Sequence, residues 1–423
     1  MFQETVSRLL NDRNERRTLF AVSLCIFIIQ ILTLRSTVVV GEPYWIAYYI
    51  QKGFGFVYPY PWDTVLTPTC YIPPLYVYYL LGIFALGGGI VVVQITGLLF
   101  FHSANLFLYY FFKRYIRKSI IFIGFLAFSI YVPLWLLSEK IDPDGLNVLL
   151  IAVTIFLLDG FRRKVSFKQW ITLGLLYGIQ LLVRPDILVG IFFFGLWLFF
   201  IVADKKYFLK GYALSLGIML LMVTPWTIRN YQVFDRFVLV SSNSGFNLFL
   251  GNNPIATGEF QQAPANAESI LIDSARAQYF KEHTSSVERD SYLFHVATHW
   301  MSEHPWEVIK LDLKKFYYHW WLRESAGSNI QVPLWMISTY NMISLLLAIL
   351  GLFGLTQLEK RTRWLLISLF AYSTFIAMVF FVQSRHRALK VDPYLIMLSI
   401  VGIHRLFSKD KSSLPSNTTH INA

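Results

Sequence analysis

The chain has 423 residues, of which 55% are hydrophobic, 17% aromatic and only 15% charged. With a mean hydropathy of +0.50, this composition excludes a soluble globular protein and predicts a polytopic membrane protein. The formal net charge of +12 would suggest a nucleic-acid partner for a soluble protein, but here the basic residues flank apolar runs and no nucleic-acid motif occurs.

Several uninterrupted apolar runs approach the roughly 20 residues that a helix needs to cross a bilayer. Because only helices and closed barrels satisfy their backbone groups in lipid, runs without alternation predict helices. The first run, residues 19–34, follows Arg16 and Arg17 and lacks a small-residue cleavage site, so we interpret it as a retained anchor. Cys25 and Cys70 provide neither a disulfide framework nor a metal spacing.

Basic clusters beside the apolar runs predict the topology. They occupy residues 13–17, 113–118, 162–168, 205–210, 360–363 and 405–411. The positive-inside rule places all of them in the cytoplasm, which requires an even number of crossings between neighbours. The short run 74–87, bounded by prolines and glycines, is therefore predicted to be re-entrant. The result is about ten spans in the plasma (inner) membrane, with both termini cytoplasmic.

This topology predicts three parts. Residues 1–228 form an N-terminal transmembrane module, whose first outer loop covers residues 37–88. Residues 229–331 form an outer, α-rich lobe, and residues 332–423 form the C-terminal transmembrane helices and a cytoplasmic tail. Within the lobe, the stretch from Asp290 to Trp321 has apolar residues at helical spacing and ends in an aromatic cluster, so we expect it to lie on the membrane surface.

Glu42 follows the first span and begins "EPYWIAYYIQKG", a short amphipathic helix predicted to end at Gly53. An acid at this low-dielectric edge can have its pKa tuned and can act as a general base. The alternative interpretation is an ordinary solvated carboxylate at the membrane interface. Residues near Glu42 alone leave both interpretations open.

Three motifs resemble one superfamily. "GEPYWIAYYIQKGFGFVYPYPWDTVLTPTCYIPPLYVYYLLGIF" resembles the first outer loop of GT-C membrane glycosyltransferases of the protein-mannosyltransferase and aminoarabinose-transferase type. "TPWTIRNYQVFDRFVLVSSNSGFNLFLGNNPIATGEF" resembles their entry into the large outer domain, and "SRHRALKVDPYLIML" resembles their basic pattern before the last span. The resemblance implies an all-α GT-C fold.

In such enzymes the donor is a polyprenyl-phosphate sugar, the acceptor is a glycan, lipid or protein at the outer face, and the first-loop acid is the catalytic base. Carried onto this chain, the resemblance makes Glu42 the base. A basic cluster near the last span is predicted to be outer and to bind the donor phosphate, and it contains Arg385, His386, Arg387 and Lys390. The alternative for this cluster is anchoring to lipid headgroups.

The second outer loop, "SEKIDPDGLN", contains three acids. The resemblance implies that an acid here shapes the substrate site, with Asp142 as a second catalytic candidate and Glu139 and Asp144 as substrate-binding candidates. A turn and a helix N-cap explain Asp142 and Asp144 equally well. Tyr44 and Tyr71 are predicted to stack on sugar rings. A divalent metal between these acids and Glu42 stays open, although no ligand spacing supports it.

The Arg184-Pro185-Asp186 turn joins two predicted spans. We interpret it as a local ion pair that caps the second of these helices.

Two other classes of protein are weighed against the transferase. A lipid-linked sugar transporter would carry ionisable residues within its spans and internal repeats, whereas here most charges lie at span ends. A polysaccharide polymerase or ligase of the cell envelope also has many spans and a large outer loop, and it is the closer alternative. That alternative does not require an acid at the start of the first outer loop.

Overall fold

The computed structural model describes residues 14–34, 40–59, 65–161, 165–260, 278–280, 282–321 and 334–407. These residues form an almost entirely helical protein, as the hydropathy predicted. Their one sheet is a short antiparallel ribbon in which β1 (Val57–Tyr58) pairs with β2 (Thr67–Pro68). The ribbon closes part of the first predicted outer loop.

The helices follow one another with short connections. The first nine are α1 (Glu15–Leu32), α2 (Glu42–Gln51), α3 (Pro74–Ala85), α4 (Ile90–Phe112), α5 (Lys118–Ser129), α6 (Val132–Ser138), α7 (Asp144–Asp159), α8 (Phe167–Val183) and α9 (Ile187–Ile201). The later ones are α10 (Lys205–Phe234), α11 (Ser244–Gly251), α12 (Ser286–Glu303), α13 (Pro305–Trp320), α14 (Leu334–Thr356), α15 (Lys360–Val379), α16 (Ser384–Lys390) and α17 (Asp392–Phe407).

Among the described residues, three helices are long and apolar enough to cross a membrane: α4, α10 and α15. The bent pair α5 and α6 makes a fourth if the two helices count as one span. Several other helices are apolar but shorter, including α3, α8 and α9. The expected number of about ten spans therefore stays a prediction.

The apolar run 119–138 was expected to form one continuous span, but it is broken at Ile130 and Tyr131 and bends by 56°. Pro133 explains the break, because it has no N–H to donate to the carbonyl of Ser129 one turn earlier. The side-chain nitrogen of Gln30 on α1 donates to that carbonyl instead, at 3.2 Å. A buried polar side chain thus satisfies the backbone group that proline leaves unpaired.

The loop after α6 is held against α4 by a close helix contact. At Gly97 a Cβ atom would lie 2.0 Å from the carbonyl oxygen of Ser138, so only glycine permits this approach. A parallel bridge between Val40 and Ile141 then joins the first predicted outer loop to the second. These two contacts bring the segments before α2 and α7 together.

Basic clusters that the sequence predicts to be cytoplasmic meet at the other end of the bundle. Lys113 pairs with Glu15, and Arg114 pairs with the fully buried Asp159 at 2.7 Å. Arg361 reaches the same carboxylate at 3.3 Å. The start of α1, the ends of α4 and α7, and the start of α15 therefore share one end of the molecule.

The predicted surface helix forms two helices rather than one, because Pro305 starts α13 directly after α12. One face of α13 packs on the protein and buries Leu311 and Lys315. The opposite face exposes Trp306 (71%) and Leu313 (63%). Such an exposed apolar face suits the membrane interface, and the surface location of this segment stays a prediction.

Candidate active site

A cavity of about 710 Å³ lies at the end of the bundle away from the Asp159 cluster. Five separate segments line it: the start of α2, the loop before α7, the turn between α8 and α9, the loop before α11, and the segment between α15 and α16. Its polar and charged lining residues include Glu42, Asp142, Arg184, Asp186, Ser241, Asn243, Ser244, Asn247, Gln383, Arg385 and His386. Four of these segments were predicted to lie in outer loops, and the turn between α8 and α9 was predicted to face the same side.

Two carboxylates enter the cavity from neighbouring loops. Glu42 is the first residue of α2, where Pro43 pre-organises the helix start, and its side chain is half-buried. Asp142 lies in the loop before α7, which the bridge to Val40 holds beside Gly41. A Cβ atom at Gly41 would lie 3.9 Å from an oxygen of Asp142. The two predicted catalytic acids therefore line the same wall.

Arg385 and His386 line the cavity from the first turn of α16. Arg385 is one-third exposed and donates from Nη1 to Asp142 at 3.3 Å, with Asp144 at 3.8 Å from the same nitrogen. Its Nε donates to Gln383 at 2.7 Å. The guanidinium thus faces the acids of the second predicted outer loop across the cavity.

Buried ion pairs support this wall. Arg184 pairs with Asp144 at 2.5 Å, and Lys390 pairs with Asp186 at 2.5 Å. The interpretation of Arg184 and Asp186 as a local pair that caps α9 was wrong, because Asp186 makes no cap hydrogen bond and both side chains bind partners in other segments. An N-cap role for Asp144 was also wrong, since it sits inside the first turn of α7 and makes no side-chain cap bond.

The charges shift the acidity of the lining groups. Burial raises the pKa of Asp142 to about 6, Asp144 adds to this rise, and the Arg385 and Arg184 guanidiniums oppose it. Burial and the nearby cations Lys390 and Arg385 hold the pKa of His386 well below its usual range. The site at neutral pH therefore contains a neutral imidazole and a carboxylate that takes up a proton near pH 6.

Not every predicted site residue reaches the cavity. Tyr71 lines it and packs edge-on against Phe246, with ring centroids 5.9 Å apart. Tyr44 instead packs against Trp45, with centroids 5.4 Å apart, and Glu139 is buried outside the lining.

Arg387 and Lys390 also lie behind the wall rather than on it. Arg387 is buried and donates to Asp392 at 2.9 Å and to Ser344 at 2.8 Å. Lys390 is occupied by Asp186. Of the four predicted phosphate ligands, Arg385 and His386 are the two that line the cavity.

Sequence reasoning missed several lining residues. Arg184 and Asp186 were interpreted locally, although a charged pair at an outer turn was a signal that they could serve a site. Asn243, Asn247 and Gln383 line the cavity as well. Asn247 was noted only as a loop residue, and no local pattern distinguishes such amides from ordinary turn residues.

Within the described part of the chain, no three His, Cys, Asp or Glu side chains are grouped to hold a metal ion. No protein-family model matches the chain, and no curated protein matches its sequence. The resemblance to GT-C enzymes therefore stays a prediction that depends on the three motifs.

Proposed function

We propose that this protein is an integral membrane glycosyltransferase of the GT-C type. It transfers a sugar from a polyprenyl-phosphate donor to a glycan, lipid or protein acceptor at the outer face of the plasma (inner) membrane. In this proposal the helices make about ten spans, both termini are cytoplasmic, and membrane lipids surround the bundle.

One observation carries the proposal: Glu42, Asp142, Arg385 and His386 line a single cavity although they come from opposite ends of the chain. A sugar phosphate needs a base for the acceptor and a cation for the leaving phosphate within reach of one another. A cavity with acids on one wall and an arginine opposite meets that need.

The cavity is also amphiphilic, which favours a lipid-linked donor. Leu188, Val189, Ile376 and Phe380 contribute an apolar side to the same space. Leu188 is 42% exposed, so this side continues to the outer surface of α9. The exposed apolar surface of a membrane protein faces lipid chains, and a prenyl chain can reach the cavity from there.

The chemistry follows from the residue types. An acceptor hydroxyl is a weak nucleophile, so the Glu42 carboxylate takes its proton as the new oxygen–carbon bond forms at C1 of the sugar. The bond between C1 and the phosphate oxygen breaks, and the electron pair leaves with the polyprenyl phosphate. Arg385 stabilises the charge that develops on this phosphate.

The polymerase or ligase alternative also uses arginines near a large outer loop. It does not require a carboxylate at position 42, so that position separates the two functions. A transporter is disfavoured because the ion pairs around the cavity, from Arg184 and Lys390, join helix ends rather than the middle of spans.

Replacing Glu42 with Gln tests the proposal. We expect sugar transfer from a panel of radiolabelled polyprenyl-phosphate sugars to fall about 100-fold to 10,000-fold, which is the usual contribution of a general base. Glu307→Gln is the matched control, because Glu307 is an exposed carboxylate on α13 outside the cavity. Full transfer activity of a folded Glu42→Gln protein would exclude Glu42 as the base.

A further inference from the structure

Two carboxylates hold Arg385 in this structure, but they differ in how firmly each is bound elsewhere. Asp144 is fully buried and already pairs with Arg184 at 2.5 Å, which leaves it 3.8 Å from Arg385. Asp142 is closer to Arg385, at 3.3 Å, and its side chain is 22% exposed to the cavity. Asp142 is therefore the partner that can leave Arg385 without breaking a second ion pair.

Resting on the proposed function, we propose that Asp142 is an internal competitor for the donor phosphate. It occupies Arg385 in the empty site and gives up this pair, by taking up a proton or turning into the cavity, when a phosphodiester binds. The second predicted catalytic acid thus acts as a positioning residue that controls access to the arginine.

The balance of charge around the cavity supports this competition. The cations Arg184, Arg385 and Lys390 face the acids Asp142, Asp144 and Asp186, and Glu42 adds a further carboxylate. The His386 imidazole is neutral, so it adds no positive charge. While Asp142 is ionised, an incoming anion meets no surplus of positive charge, and loss of that one negative charge removes the repulsion.

The groups that face Asp142 come from every neighbouring element. Asp144 lies on its own helix start and Glu42 on α2, and both raise its pKa, whereas Arg385 on α16 and Arg184 after α8 lower it. Tyr76 on α3 also interacts with this carboxylate.

The sign of the pH dependence follows from these groups. Below about pH 6 Asp142 is protonated and Arg385 is available to an anion, and above pH 6 the ionised carboxylate competes. Binding of a phosphodiester should therefore weaken as pH rises through 6, by at most about tenfold per pH unit.

The test uses the full chain in nanodiscs of phosphatidylcholine. The probe is methyl farnesyl phosphate, a prenyl phosphodiester that has no sugar and keeps one negative charge between pH 5.5 and 8. We expect the wild-type affinity to fall by about tenfold per pH unit above 6. Asp142→Asn should bind more tightly than wild type at pH 7.5 and show a flat profile, because an amide cannot ionise.

Two variants serve as controls. Asp142→Glu should retain the pH dependence because it keeps a titrating carboxylate. Asp235→Asn removes an exposed carboxylate outside the cavity at a position with φ of 51°, which asparagine tolerates, so it should follow the wild-type profile.

Three results would overturn the inference: equal pH slopes in wild type and Asp142→Asn, weaker binding by folded Asp142→Asn, or no binding by either protein at any pH. The outcome also separates the two proposals. Competition without sugar transfer from any donor would refute the glycosyltransferase and leave the role of Asp142 standing. Sugar transfer combined with equal slopes would do the reverse.

Discussion

At the scale of single residues, the basic pair Arg385 and Arg387 has two different environments. The side chain of Arg385 is one-third exposed and faces the cavity, where it contacts Asp142. That of Arg387 is 6% exposed and lies against Asp392, whose side chain is 5% exposed. Because a short helix separates their directions, one arginine is available to a ligand and the other holds α16 to α17.

This difference predicts opposite effects of substitution. Arg387→Ala should lower the free energy of unfolding by about 3–5 kcal/mol, because it leaves the Asp392 carboxylate buried and unpaired. Arg385→Ala should cost less than about 1 kcal/mol, since its pair with Asp142 is partly solvated, and it should abolish binding of a prenyl phosphodiester. Thermal unfolding and ligand binding of both variants in nanodiscs check this, and equal destabilisation by the two would contradict it.

At the scale of elements, the position of Asp142 depends on how α4 and α6 pack. The break at Pro133 redirects the chain by 56° before the loop that carries this acid. Gly97 then lets the end of α6 lie directly on α4. A continuous helix over residues 119–138 would have placed the loop elsewhere, so both features set the geometry of the site.

Gly97→Ala should therefore affect the site from a distance. The added methyl group would overlap the carbonyl of Ser138, and such overpacking costs about 1–3 kcal/mol and shifts the following loop. We expect a lower unfolding temperature and weaker phosphodiester binding. Gly217→Ala is the matched control, because Gly217 lies within the candidate span α10 with nothing within 4 Å of an added Cβ, and it should leave both quantities close to wild type.

At the scale of the whole molecule, charge is divided between the two ends of the bundle. Clusters that the positive-inside rule assigns to the cytoplasm meet around Asp159, and the segments assigned to the outer side meet around the cavity. The same sequence rule thus groups loops that the fold also groups. Which end faces the cytoplasm stays a prediction of the loop charges.

Cysteine labelling tests this orientation. Lys52 and Lys206 are both exposed and are predicted to lie on opposite sides of the membrane. In a background with Cys25 replaced by serine, Lys52→Cys should react with an impermeant maleimide in right-side-out vesicles, and Lys206→Cys should react only after the vesicles are opened. Reaction of both from the same side would refute the topology. The buried Cys70 should stay unlabelled in both cases.

The sequence by itself determined the helical membrane-type architecture and the chemical types of the candidate site. Apolar composition and proline positions act locally, because lipid requires each segment to satisfy its own backbone hydrogen bonds. Those signals also indicated Glu42, Asp142 and the cluster near Arg385 as candidates. They did not reveal the bend at Pro133, whose freed carbonyl is satisfied by Gln30 from another helix.

Only the tertiary structure decided which charged side chains meet. Arg184 and Asp144, or Lys390 and Asp186, are ion pairs between distant segments, so no local spacing predicts them. The same applies to the choice of Arg385 over Arg387 as the residue that faces the cavity. Coulomb interactions depend on the distance between charges in space and on their burial, and packing sets both only after the helices have assembled.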